Sequence, residues 1–288
     1  MTGSIHPSDS AVTPDLRIVA MDQLIEHEYN DVQRTAPLAM RISTEGLLKN
    51  PPIVTELNNG EEKYVILDGA NRYTALKGMG CPHIMVQVVQ YEMPYVTLST
   101  WHHVITGMDM EEFTTGLDAV DGVEFIQVDL LAARAGLARR EFLVYAMRGD
   151  GKVFAAHTAI PRRNIHETNR LLNACVDSYR NKGRLHRAVT DDAKETFRMY
   201  PNFTGMIIFP KYDHSEVLIL AREGELLPTG LTRHLIQGRA LRVNFPISEL
   251  KSYDPLNKKN QRLQEWIKHK MSSREVRFYG ETTFLFDE

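Results

Sequence analysis

The chain has little of several things, and each shortage excludes a class of protein. Its 288 residues include two cysteines, Cys81 and Cys175. They form no Cys-x-x-Cys pair, so the sequence supports neither a disulfide framework nor a cysteine zinc site, and both thiols are expected to be reduced. No apolar run approaches the roughly 20 residues that a membrane span needs. The opening Met-Thr-Gly-Ser-Ile-His-Pro lacks the charged-then-apolar layout of a signal peptide. A cytoplasmic protein without membrane contact is therefore expected. Neither sign of charge is in excess: 34 Lys and Arg stand against 37 Asp and Glu, a formal net charge of −3. That gives no global pull toward DNA and argues against nucleic acid as a partner. Neither of the two commonest phosphate cradles, Gly-x-x-x-x-Gly-Lys-[Ser/Thr] and Gly-x-Gly-x-x-Gly, is present.

What the chain does have is an ordinary globular composition, 43% hydrophobic, enough to bury a sizeable core in one large or two modest domains. Its most informative stretch is residues 64–80. Residues 64–67 form a short β-rich run, and Tyr73, Leu76 and Met79 follow at helical spacing. The segment predicts a strand, a tight corner at Asp68-Gly69, and a helix. A helix leaving a strand through such a corner aims its unpaired N–H groups and the positive end of its dipole beyond the strand, where anions bind. Asn71 and Arg72 add side-chain donors there, and Asp68 offers a carboxylate from which a divalent ion could bridge to a phosphate. The same residues also fit a plainer role, with Asp68 capping the helix and Arg72 in water.

Leu67-Asp68-Gly69-Ala70-Asn71-Arg72, followed by Ala75-Leu76 and Gly80, resembles the Asp-Gly-x-x-Arg signature of the ParB/sulfiredoxin-like superfamily, whose members hold nucleotide phosphates at that turn. The superfamily includes chromosome-partitioning CTPases, sulfiredoxin and kinases of free L-serine, and residues outside the turn choose among them. His27-Glu28, after a first strand predicted at 16–20, is similar to the His-Glu of the free serine kinases, where the Glu is the general base. Trp101 resembles an indole that walls their amino-acid pocket; by itself it reads equally well as a core residue between domains. Leu227-Pro228-Thr229-Gly230-Leu231-Thr232-Arg233-His234 resembles the Pro-x-Gly-[Ile/Leu]-Thr-Arg-His segment that sets the serine kinases apart from partitioning proteins and sulfiredoxins. A loop guanidinium beside a hydroxyl suits a small amino acid, since Arg233 can take a carboxylate through two hydrogen bonds while Thr232 bonds a second polar group; without the resemblance Arg233 reads as a surface ion-pair residue. One departure stands out. Ala70-Asn71 lies where relatives commonly have His-His, and Asn71 can donate to a phosphate but can carry neither charge nor proton.

The resemblance implies an α+β fold with a loose tail at 1–14, a ParB/sulfiredoxin-like nucleotide-binding domain at 15–95, and a mixed α/β domain at 96–288 packed on it. It implies a free L-serine kinase that moves a phosphoryl group from ATP, or ADP, to the serine hydroxyl with Mg²⁺. Glu28 and Asp68 would be catalytic, with Asp68 also holding the metal. Gly69, Ala70, Asn71, Arg72 and Lys49 would surround the nucleotide phosphates, and Trp101, Thr232 and Arg233 would hold serine. Lys49 reads equally well as a solvated loop lysine. By resemblance, the product could feed cysteine synthesis or the diaminopropionate branch of a siderophore route. The rival reading is a ParB-like nucleotide-binding regulator that binds DNA or a protein and leaves serine alone.

That rival has one foothold. Residues 130–142 look superficially like a helix-turn-helix, but 142–156 predict a hairpin turning at Asp150-Gly151, which leaves no room for a recognition helix. Elsewhere the pattern predicts a helix opening at Pro37 and stopped by Gly46, a strand entered through Pro51-Pro52, and a turn at Asn58-Asn59-Gly60. A strand at 84–89, helices at 167–179, 190–200 and 257–271, a buried strand at 205–210 and a β-rich end at 276–286 complete the reading. Cys81-Pro82, a pair of the kind that can contact haem, sits where a helix must turn into a strand, and Pro82 has a structural role there. His102 and His103 are adjacent and cannot both reach one metal from a regular element.

Overall fold

Four consecutive buried residues, Tyr64, Val65, Ile66 and Leu67, make the Tyr64–Asp68 strand an interior one, since a strand covered on both faces has no polar side to alternate with. In the computed structural model, which describes residues 13–30, 32–57, 60–158 and 164–278, this strand belongs to the first of two compact units. The first unit takes the chain up to Ile25, Val32–Thr97 and the chain from Ile236 onward; the second takes Glu26–Asp31 and Leu98–Leu235.

The sheet of the first unit runs in the order Asp15–Ala20, His83–Val88, Ile53–Glu56, Tyr64–Asp68, Leu24–Glu26. Ile53–Glu56 is antiparallel to Tyr64–Asp68, as a tight turn at 58–60 implies, and parallel to His83–Val88. Asn58 and Asn59 of the connecting turn lie outside the described residues. The helix Ala70–Gly78 leaves the corner and buries Tyr73, Ala75 and Leu76. Leu76 is fully buried, and truncating such a leucine to alanine costs about 2–5 kcal/mol. The helix before it spans Val32–Glu45, so Pro37 lies in its interior and not at its first turn. Proline removes one N–H from the ladder, and the burial of Leu38, Ala39 and Ile42 against the core compensates for that bond. The helix Leu256–Ser272 lies along the edge strand Asp15–Ala20. There Asn260 accepts from the Ile18 N–H (2.8 Å) and donates to the Ile18 carbonyl (2.7 Å), satisfying an edge that would otherwise offer itself to another chain. The β-rich end expected at 276–286 is not a strand over 276–278. Residues 279–286, like 1–12 of the tail, lie outside the described residues.

The second unit is built on six antiparallel strands in the order Arg184–Ala188, His102–Thr106, Phe203–Ile208, Tyr145–Arg148, Val153–His157, Glu124–Val128. Every residue of Phe203–Ile208 is buried. The helix Leu130–Ala138, capped by the Asp129 carboxylate, contains Gly136 within it, and the chain proceeds into the hairpin of Tyr145–Arg148 and Val153–His157. The second helix of a helix-turn-helix is therefore absent from this segment. His102 and His103 point to opposite faces of their strand. His102 Nδ1 accepts from the Phe209 N–H (3.3 Å), while His103 Nδ1 bonds the Tyr179 hydroxyl (2.8 Å). The helix Ile165–Asp177 buries Leu171, Leu172 and Cys175 as its amphipathic pattern predicts, and Cys81 is buried in the first unit. Among the described residues no helix is long and apolar enough to cross a membrane.

Candidate active site

The residues singled out from the sequence fall into two clusters, one in each unit. In the first unit Asp68 ends its strand and Gly69 makes the corner with φ 92°, the left-handed conformation that glycine adopts without strain. A Cβ at Gly69 would also stand 3.0 Å from Pro52 Cα, so only glycine brings the chain this close. The N–H groups of Arg72 and Tyr73 both close on the Gly69 carbonyl, and the donors before them have no acceptor within the helix. The Asn71 carboxamide oxygen accepts from the Thr35 hydroxyl (3.3 Å), which leaves the amide NH₂ as the end that can donate.

Arg72 does more than line the corner. Its Nη1 donates to the Asn50 and Pro51 carbonyls (2.9 and 3.2 Å) and its Nη2 to Asp68 (3.5 Å), so it ties the 50–51 loop to the corner. The stronger partner of Asp68 is Arg239, whose Nη2 donates to the same Oδ2 oxygen. Sequence reasoning left Arg239 out of the site, although Gly238-Arg239 lies a few residues beyond the Thr232-Arg233 segment. Lys49 is paired with Glu45 at 2.8 Å, one helical turn away, and joins none of the corner residues through that contact. Mg²⁺ binds through one or two carboxylates with substrate phosphates and water completing its shell. Asp68 fits that pattern as a single carboxylate, with Oδ2 already committed to the guanidiniums.

In the second unit Glu28 is held from the far end of the sequence. Its Oε1 accepts from the Gly230 N–H, and its Oε2 accepts from the Thr232 N–H (3.0 Å) and the Thr232 hydroxyl (2.6 Å). Backbone bonds fix the approach: the Leu227 N–H donates to the His27 carbonyl (2.9 Å), and the Tyr29 N–H to the Leu227 carbonyl (3.0 Å). His27 Nε2 lies 2.8 Å from the Thr232 hydroxyl. A hydroxyl has one proton, and giving it to Glu28 requires His27 to present Nε2–H, so the order of donation is His27, Thr232, Glu28. Buried His27 packs edge-on against His234. Its place beside Glu28 in the sequence was the signal for this role, yet only the glutamate was put in the site.

Arg233 and Trp101 come together as a stacked pair, the guanidinium 4.8 Å from the ring centroid, an attraction of about 0.5–1 kcal/mol at an exposed site. The Trp101 backbone N–H donates to the Leu231 carbonyl (2.8 Å), which ties the Trp101 main chain to the loop that also holds Glu28. Glu28, Thr232, Arg233 and Trp101 thus form one cluster: a carboxylate, a hydroxyl, a guanidinium and an aromatic face, the groups needed to hold a small zwitterion and take a proton from it.

The overall fold is that of free serine kinases: the chain superposes on the solved structure of a free serine kinase in complex with AMP with a TM-score of 0.68, over 83% of this chain and 94% of that one, at 20% identity. The chain matches no protein-family model. Among individual proteins, it is 25% identical over 283 residues to the ATP-dependent L-serine kinase SbnI of Staphylococcus aureus, covering 95% of this chain and 97% of that protein. It is 21% identical to the ADP-dependent L-serine kinase SerK of Thermococcus kodakarensis, covering 82% and 93% respectively.

Proposed function

We propose that this chain is a free L-serine kinase, transferring the terminal phosphoryl group of ATP, or of ADP, to the hydroxyl of L-serine to give O-phospho-L-serine. The observation that carries this reading is the bond between Glu28 and Thr232, positions 204 residues apart. It joins the two stretches, His27-Glu28 and the Thr232-Arg233 segment, that separately resemble the serine kinases, and the curated relatives of near full length are L-serine kinases. The Asp68 corner supports a ParB/sulfiredoxin-like nucleotide domain at the expected 15–95 and the 227–234 segment a substrate-binding portion within 96–288, except that Glu26–Asp31 groups with the second unit and the chain from Ile236 onward, with Arg239, groups with the first.

Phosphoryl transfer asks little covalent chemistry of the protein; it asks for alignment and for charge to be met where it develops. Glu28 takes the proton of the serine hydroxyl as that oxygen bonds to the terminal phosphorus. The bond from phosphorus to the bridging oxygen breaks, and its electron pair leaves with ADP, or with AMP when ADP is the donor. The helix mouth at Gly69, Ala70, Asn71 and Arg72 receives nucleotide phosphates, with Arg239 holding Asp68 in place. Lys49 joins them on giving up Glu45. Mg²⁺ held by Asp68 and the phosphates would neutralise charge on the nucleotide. Trp101, Thr232 and Arg233 hold the amino acid.

The test is a coupled assay for O-phosphoserine with ATP and ADP in turn. Product from either nucleotide, lost in Glu28→Ala with nucleotide binding retained, supports the kinase. Salt-sensitive binding to duplex DNA without any turnover would replace it with the regulator.

A further inference from the structure

One guanidinium in the second unit has no hydrogen-bond or ion-pair partner among the described residues and lies against the loop that holds Glu28. Arg187 is on the edge strand Arg184–Ala188, directly opposite His103 in the antiparallel register, so the two side chains share a face of the sheet. It is half-buried, and among the described residues it makes no hydrogen bond and no ion pair. Its neighbour there supplies no charge: burial pushes His103 down to about 3, against the pull of the Gly230 and Thr229 carbonyls. His103 also leaves its buried Nε2 without a partner among the described residues.

The guanidinium lies on Gly230. A Cβ at that position would be 2.5 Å from Arg187 Nε, 2.7 Å from Nη2 and 2.9 Å from Cζ, and Gly230 has φ 67°. The loop therefore needs glycine there both for its backbone and for the space the guanidinium fills. The same residue's N–H donates to Glu28. Gly230 thus has the general base bonded to its nitrogen and a planar cation packed against its α-carbon. A half-buried guanidinium with five donors and no acceptor is costly unless an anion completes it, and bidentate recognition by arginine suits carboxylate and phosphate oxygens.

We propose that Arg187 is the subsite for the phosphoryl group on the serine hydroxyl, the phosphomonoester end of the product. This rests on the kinase reading, which puts the hydroxyl at Glu28. The amino acid carries one anionic group before transfer and two after, and the cluster has two guanidiniums that pair with no carboxylate among the described residues. Arg233, stacked on Trp101, takes the carboxylate, and Arg187, beside the residue that holds the base, takes the group that arrives at the hydroxyl.

The experiment measures binding of O-phospho-L-serine and of L-serine, by calorimetry on the full chain, to the wild type, Arg187→Gln and Arg187→Lys, with melting temperatures alongside. The expected result for Arg187→Gln is at least a tenfold loss of affinity for O-phosphoserine with less than a twofold change for L-serine. Arg187→Lys, which keeps the charge but loses the fork, falls between, and it carries the test if the glutamine variant does not fold. Equal losses for both ligands would move Arg187 to the carboxylate and overturn the proposal, as would no loss for either or a wild type that does not bind O-phosphoserine. Turnover of serine by the wild type is scored separately, so a chain that binds O-phosphoserine through Arg187 but does not phosphorylate serine rejects the kinase and keeps the subsite.

Discussion

Asp68 in the first unit takes its hydrogen bonds from the guanidiniums of Arg239 and Arg72, whereas Glu28 in the second takes its bonds from two backbone N–H groups and a hydroxyl. The difference is one of charge. Two full cations around one carboxylate leave the Asp68 corner with an excess of positive charge, at the end of a helix whose dipole adds to it. That environment suits phosphate. Neutral dipoles position Glu28, and the guanidiniums of its cluster, Arg187 and Arg233, make no hydrogen bond to it, so its carboxylate suits drawing a proton from a hydroxyl. Both carboxylates are held by several donors, and the identity of those donors, charged at Asp68 and neutral at Glu28, is what suits them to different tasks.

The largest expected effect comes from removing the carboxylate that neutral donors hold. Glu28→Gln keeps the shape but gives one side of the amide two hydrogens of its own, and these face donors on Gly230 or Thr232. O-phosphoserine formation should fall about 10²–10⁴-fold, the range for a lost general base, while nucleotide affinity measured by titration stays within twofold. A matching loss of nucleotide affinity would break the division of labour between the two carboxylates. Asp68→Asn should act on the other side of it. Leaving Arg239 and Arg72 without their carboxylate should cut turnover about 10²-fold and, unlike the Glu28 change, also shift the KM for nucleotide. An unchanged nucleotide KM would mean that Asp68 serves the serine hydroxyl and not the phosphates.

These two clusters were not equally legible. The Asp68 corner lies in one continuous stretch, and strand, turn and helix each have a local signature, so the bend and its glycine could be read directly. The Glu28 cluster joins residues from opposite ends of the chain. Local pattern carries no information about which loop reaches which, and only the resemblance of both segments to one family brought Glu28 and Thr232 into the same site. Arg239 and Arg187 show the limit from the other side. An arginine in a loop or an edge strand is usually a solvated residue, and what distinguishes these two, Asp68 as a partner for Arg239 and no partner among the described residues for Arg187, is visible only in three dimensions. Pro37 misplaced a helix start because proline is a reliable first-turn residue and burial of the following turns outweighed its missing donor.

Acid should separate the two units as well. Burial pushes His102 down to about 4 and His103 down to about 3, against about 6.5 in the unfolded chain. Below pH 6.5 the unfolded chain binds a proton at each and the folded chain does not. Their stabilising contribution is therefore whole above 6.5 and declines as pH falls toward those lower values. At pH 5.5 the loss is about 1.4 kcal/mol for each. Both residues lie in the six-stranded sheet. His83, in the first unit, is also lowered, chiefly by burial, but it is only half-buried. Hydrogen exchange at pH 7.5 and 5.5 should show the His102–Thr106 and Phe203–Ile208 strands losing protection more than Ile53–Glu56 and Tyr64–Asp68. Equal losses would mean that the histidines are not what acid acts on.

The smallest effect expected is also the one that refines the assignment of roles most. Thr232 was read from sequence as a contact to serine, and its hydroxyl lies between His27 and Glu28. Thr232→Val removes that hydroxyl but leaves the backbone N–H that also reaches Glu28. A single hydrogen bond to a charged group is worth about 1.5–3 kcal/mol, and because the remaining donors stay in place the expected fall in turnover is roughly tenfold, equivalent to about 1.4 kcal/mol. If the hydroxyl works by holding Glu28, the loss appears in kcat with the KM for serine unchanged, and adding Thr232→Val to Glu28→Gln costs nothing further, because the two act on one interaction. If the hydroxyl binds serine, KM rises and the two changes combine independently. Steady-state kinetics of the two single variants and the double variant separates these outcomes, and with them the question of whether the neutral donors around Glu28 serve the base or the substrate.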